Sequence, residues 1–133
     1  MRRDTHEVAL VEEHVVLQVL AAAVLVGAGT LLVWLARATA SGRLRRDPAA
    51  GIRIPATMES EEAWRAAHIR ARRPTECAGA TSIVSGLVAL LPLPDALLWS
   101  AVLVGSVVML ALVLHGARVG NRAAKEVPAT PDA

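Results

Sequence analysis

The 133-residue sequence has no phenylalanine and no tyrosine, so three tryptophans are its only aromatic side chains. Yet 54% of its residues are hydrophobic and the mean hydropathy is +0.46. An apolar excess without the aromatics that usually fill a soluble core argues against a conventional globular domain and assigns the surplus to lipid. Cysteine is also scarce. Cys77 stands alone, which excludes an intramolecular disulfide and a multi-cysteine metal site within one chain, and its place at the edge of an apolar run suits a small packing residue. There is no Ser-His-Asp order, no paired buried carboxylates, no phosphate-binding loop and no glycine-rich dinucleotide turn. His6, His14, His68 and His115 are too scattered to gather a metal. The sequence therefore reads as a non-enzyme, with no catalytic residue, no metal and no cofactor.

Charge is missing from three long stretches. The first runs from His14 to Ala36, rich in Val, Leu and Ala, with Gln18 as its polar interruption. As a helix it would cover about 35 Å at 1.5 Å per residue, enough to span a bilayer. Ala38-Thr39-Ala40 has the form of a signal cleavage site, but this run exceeds the usual h-region and follows acids where a basic n-region belongs. A retained span is expected. The second runs from Cys77 to Pro94 and closes on Leu91-Pro92-Leu93-Pro94-Asp95, a tight turn. The third runs from Ala96 to Ala117. The fold class expected is thus all-α: an integral membrane protein with spans over 14–36, 76–93 and 96–117, the last two forming an antiparallel hairpin. Residues 1–13 form an extracytoplasmic arm and 118–133 a disordered cytoplasmic tail.

Basic residues orient this frame. Nine arginines lie between Arg37 and Arg73, Arg118, Arg122 and Lys125 follow the third run, and the Pro92–Asp95 turn has none. Three spans put the 37–75 loop and the C-terminus on one side, and the charge makes that side cytoplasmic, with the N-terminus outside. Trp34 and Trp99 fall near span ends, as interfacial aromatics do. The same arginines, with a net charge of +2, need no nucleic acid to explain them, because topology and anionic lipid account for them. Ala78, Ser82 and Gly86, like Ala101 and Gly105, recur at four-residue spacing and offer flat faces for packing within a bundle or in a homo-oligomer. No charge sits at mid-membrane, which disfavours a pump or coupled transporter.

The long polar segment between the runs reads Gly-Ile-Arg-Ile-Pro-Ala-Thr-Met-Glu-Ser-Glu-Glu-Ala-Trp-Arg-Ala-Ala-His, Gly51 to His68. Gly51 permits close backbone approach and Pro55 fixes a turn, so the two frame Arg53. Arg53 is expected to pair with Glu59, Glu61 or Glu62, or with a lipid phosphate. Either Thr57 or Ser60 caps a helix over 58–71, with Glu59, Glu61 and Glu62 at its positive end. Ser60, Trp64, Ala67, His68 and Ala71 share one face of it. An amphipathic interfacial helix on the cytoplasmic side is expected, with Trp64 as its anchor toward membrane or bundle.

Gly51, Arg53, Pro55, Thr57, Ser60, Trp64 and His68, in this order and spacing, resemble the signature of the SdpI family of small bacterial membrane proteins. The likeness extends into the flanking apolar runs and departs from the family pattern at Ile54, where Thr is usual, and at Arg45-Arg46-Asp47-Pro48, which lacks the Asn often seen shortly before the Gly. It implies a multi-pass protein of the bacterial cell membrane, like the family's namesake an immunity protein against a secreted peptide toxin, or a sensor of one. The partners implied are the bilayer, a peptide toxin and a cytoplasmic regulator. The alternative is an accessory membrane subunit whose cytoplasmic segment docks another protein.

Overall fold

In the computed structural model, the described residues are 2–44 and 51–128, with side chains from Glu7 onward. Among the described residues there are four helices and no strand: α1 (Arg2–Ala40), α2 (Pro55–Met58), α3 (Glu61–Val88) and α4 (Asp95–Lys125).

Two of these helices are long and apolar enough to cross a membrane, α1 over Glu7–Ala40 and α4 over Asp95–Lys125, and their most apolar stretches of 18 residues have mean hydropathies of 2.4 and 2.6. Val24, Leu31, Leu103 and Val104 are exposed on them. So much uncovered aliphatic surface has no place in water and suits hydrocarbon.

The middle of the chain differs from expectation. The separate interfacial helix over 58–71 and the span over 76–93 are replaced by one helix, α3, which starts at Glu61 and runs through Pro74 to Val88. Pro74 lacks the N–H that would bond the Arg70 carbonyl, and a proline there normally ends or bends a helix. The Thr75 hydroxyl donates to the Ala71 carbonyl at 2.9 Å, a back-bond within the helix that leaves the Arg70 carbonyl without its usual helical donor. Pro74 and Thr75 also lie against Gly116 of α4. At the far end the helix stops at Val88, short of the expected Leu93, because the chain must prepare the Pro92–Pro94 turn. The uncharged helical part, Cys77–Val88, reaches only about 18 Å. Two candidate spans, and not three, therefore satisfy length and hydropathy within a helix.

α3 lies between α1 and α4 and runs antiparallel to both. Against α1 the approach is backbone on backbone: a Cβ on Gly29 would fall 2.5 Å from the Gly79 carbonyl oxygen, and one on Gly79 would fall 2.6 Å from that of Gly29. Ser82 Oγ donates to the Leu25 carbonyl at 2.7 Å in the same seam. Against α4, Gly105 meets the Ser85 side chain. Of the small residues singled out in the sequence, Ala78, Ser82 and Gly86 are buried in this bundle.

Polar contacts mark both ends. His14 Nε2 lies 3.2 Å from Asp95 Oδ2, tying the starts of the apolar parts of α1 and α4. At the other end Glu76 Oε1 accepts from Arg37 Nε at 2.9 Å and from Arg72 Nε at 3.1 Å. α1 and α4 thus run parallel, their basic ends together. No break in secondary structure separates residues 2–13 from the first span, because α1 is continuous from Arg2. α4 likewise continues past Ala117 to Lys125, so much of the expected disordered tail is helix, held by the packing of Gly120 and Ala124 on the neighbouring polar segment. Residues 129–133 of that tail lie outside the described residues.

Candidate functional site

The polar segment folds into a small head on the basic end of the bundle. α1 ends at a turn in which Gly42 takes φ +77, a left-handed backbone that glycine adopts without a side-chain penalty. Gly51 takes φ +94 and leads into extended backbone through Ile54. Pro55 then opens α2 at its first position, where its missing N–H costs nothing.

Thr57 closes this short turn on itself. Its hydroxyl donates to the Ile52 carbonyl at 2.7 Å, with the Ile54 carbonyl at 2.9 Å, and accepts the Ile54 N–H at 3.2 Å. The side chain is fully buried, so these bonds replace the water it has lost. Ser60, not Thr57, caps the following long helix: its Oγ accepts the Ala63 N–H at 3.0 Å, and Glu61 and Glu62 occupy the first turn of α3.

Trp64 and His68 form the floor. Their rings stack at 4.1 Å between centroids with a 36° tilt, and they are 1% and 5% exposed. Gly51 sits directly on them. A Cβ at this position would fall 2.5 Å from His68 Nε2 and 2.7 Å from Trp64 Cη2, so glycine is required both by space and by φ. His68 Nε2 accepts the Ile52 N–H at 3.0 Å. That assigns the ring proton to Nδ1, which donates to the Trp64 carbonyl at 2.8 Å. Burial pushes the His68 pKa below its ordinary value of 6.5, against the smaller opposing effect of the Trp64 carbonyl. The imidazole is thus held neutral as a clamp on the backbone of Ile52. Trp64 Nε1 is buried with no hydrogen-bond partner.

The face formed by Trp64, Ala67, His68 and Ala71 is buried, as the spacing indicates, and of the two directions expected for Trp64, membrane or bundle, it takes the bundle. It is covered by the Gly51–Ile52 backbone and by the extension of α4. A Cβ on Gly120 would lie 3.1 Å from the Ala67 carbonyl oxygen and 3.0 Å from Ile52 Cδ1, and Ala56, Ala63, Ala67 and Ala124 form a compact alanine core beside it. Sequence reasoning missed Ile52, Gly120 and Ala124. The recurrence of Gly116, Gly120 and Ala124 every four residues beyond the apolar part of α4 was the available signal. A mostly apolar cavity of about 180 Å³ lies under the segment, bounded by Leu35 and Thr39 of α1, Ile52, His68, and Val113 and Ala117 of α4.

Of the seven signature residues, the fold brings Gly51, Thr57, Trp64 and His68 together and uses Ser60 as a cap. Arg53 and Pro55 are exposed. The expected pairing of Arg53 with Glu59, Glu61 or Glu62 is not formed: among the described residues no carboxylate makes an ion pair with Arg53, because the 52–54 backbone turns the adjacent Ile52 side chain onto Gly120 of α4 and leaves Arg53 exposed. No group of three or more His, Cys, Asp or Glu side chains that could hold a metal ion occurs among the described residues.

The model of the SdpI/YfhL protein family matches residues 43–117, more than half of the chain, from the basic exit of α1 to the apolar end of α4. No curated protein and no solved structure matches the sequence.

Proposed function

The chain belongs to the SdpI/YfhL protein family, and from that premise we propose that it is a multi-pass protein of the bacterial cell membrane that gives immunity to, or senses, a membrane-active peptide toxin. The observation that carries this reading is the folded head: the family signature is pinned to the basic end of the bundle by Thr57 and His68 and is continuous with a bundle helix. In this reading α3 is a rigid rod joining the apolar bundle to the signature. A peptide that displaces α1 or α4 shifts α3, and with it Gly51, Ile52 and the exposed Arg53, which a cytoplasmic regulator reads.

The reading includes a third crossing. α1 and α4 run parallel, so a chain that crosses with both has to return between them, and α3 with its apolar 89–94 turn is the segment available. The arginines of the head and those at the end of α4 lie at one end, which favours that end as cytoplasmic. No catalytic step is part of this role.

Expression in a sensitive bacterium, followed by challenge with membrane-active peptides, tests the proposal. Growth is expected at a peptide dose that kills cells carrying the vector alone, and Arg53→Lys should impair protection while Arg118→Lys does not. An Arg53 fork that pairs with no carboxylate among the described residues suits bidentate recognition that lysine cannot reproduce. Absence of protection from every peptide, with the protein present in the membrane, would count against immunity. Co-purification of a stable membrane complex would then favour the accessory-subunit role.

A further inference from the structure

A groove of about 540 Å³ opens between α1 and α3 on the face away from α4, where the apolar part of α1 meets its basic end. Val33, Trp34 and Ile83 line its apolar part, and Arg37, Arg43 and Arg72 line its polar part. We propose that this groove is a binding site for an anionic phospholipid, with the three arginines on the phosphate and the apolar wall against the acyl chains. The proposal does not depend on the immunity reading, only on α1 crossing the bilayer.

The charge balance is the first support. Three guanidinium groups face the groove, and among the described residues a single carboxylate, Glu76, is shared by two of them. That sharing leaves donors unspent. Glu76 Oε1 accepts from Nε of both Arg37 and Arg72, so the terminal amino groups of each guanidinium make no hydrogen bond among the described residues. One carboxylate oxygen therefore holds two guanidinium groups side by side, and the ends it leaves free match the oxygens of a phosphodiester. Arg43 adds a third fork and makes no ion pair among the described residues.

Depth is the second support. Arg37 follows Trp34 by one helical turn, and Trp34 is 55% exposed, as befits a ring at headgroup level beside hydrocarbon. A free phosphate would satisfy the arginines but leave the Val33, Trp34 and Ile83 wall uncovered. A phospholipid fills both halves, and basic pockets between membrane helices are the usual place for such headgroups.

The test is lipid retention by the full chain. The protein is taken from nanodiscs of mixed phosphatidylcholine and phosphatidylglycerol into mild detergent, and the lipid it keeps is identified by native mass spectrometry. Preferential retention of one phosphatidylglycerol is expected, lowered about tenfold or more in Arg43→Gln/Arg72→Gln, since two of the three charged forks are removed. Arg43→Lys/Arg72→Lys should recover part of it. Glu76→Gln keeps all three arginines and removes the competing charge, so retention should rise. Equal retention of the two lipids, wild-type retention in the double glutamine variant, or a fall in Glu76→Gln would overturn the proposal. Complete displacement of the lipid by millimolar inorganic phosphate would also overturn it, by showing that the arginines bind the free anion and the apolar wall contributes nothing.

Discussion

His68 holds Ile52 through a nitrogen that has to stay unprotonated. Its folded-state pKa lies below 6.5, so the unfolded head binds the proton more readily than the folded one. The stability the clamp contributes is therefore complete above pH 6.5 and is lost as the pH falls through the lowered folded value. Protease sensitivity of the 51–60 segment in detergent should rise on acidification from pH 7, and His68→Gln should be sensitive at all pH values with a flattened response. Gly51 and Gly42 make a second, sharper comparison. Both have positive φ, but a Cβ at Gly42 meets nothing within 4 Å, whereas one at Gly51 collides with His68 and Trp64. Backbone strain of about 1–3 kcal/mol is expected for alanine at either position. Gly51→Ala adds the collision, so it should lower the unfolding midpoint more than Gly42→Ala by thermal denaturation followed by circular dichroism. Equal effects would mean that the Gly51 backbone does not rest on the rings.

At the scale of elements, the α1–α3 seam depends on glycines that a lipid-facing helix would not need. Gly29 and Gly27 are two residues apart on α1, yet a Cβ at Gly27 meets nothing while one at Gly29 strikes the Gly79 carbonyl and Ile83. Gly29→Ala should destabilise the bundle by about 1–3 kcal/mol through overpacking, and Gly27→Ala should be neutral or mildly stabilising, in denaturation of the detergent-solubilised protein. The sequence made α1 and α4 legible because an apolar run of sufficient length is by itself the physical cause of a span. It made the Trp64–His68 face legible for a similar reason, since four-residue spacing sets which side chains share a side of a helix. What that face covers is a different kind of information. Periodicity is silent about partners, so the burial of Trp64 under Gly51 and α4 was not readable from it. Pro74 lies between the helix expected over 58–71 and the span expected over 76–93, where local rules favour a boundary. The helix that runs through it packs there on Gly116 of α4, more than forty residues along the chain.

At the scale of the whole molecule, the arrangement is a short apolar bundle with a packed polar head at one end, and α3 belongs to both. The His14–Asp95 contact and the Arg37–Glu76–Arg72 cluster lie at opposite ends of the apolar zone. His14 to Arg37 along α1 measures about 35 Å, and Asp95 to Arg118 along α4 the same, a length that fits a bilayer core and its interfaces. Those two parallel helices make the passage of α3 between them the central claim. The most direct measurement is cysteine labelling in intact cells with a membrane-impermeant thiol reagent, using Ser41→Cys, Leu93→Cys and Ala123→Cys, each in a Cys77→Ser background. Labelling of Leu93→Cys alone is expected, with Ser41→Cys and Ala123→Cys reacting only after the cells are opened. Labelling of all three from outside, or protection of all three, would put both ends of α3 on one side of the membrane and contradict the claim.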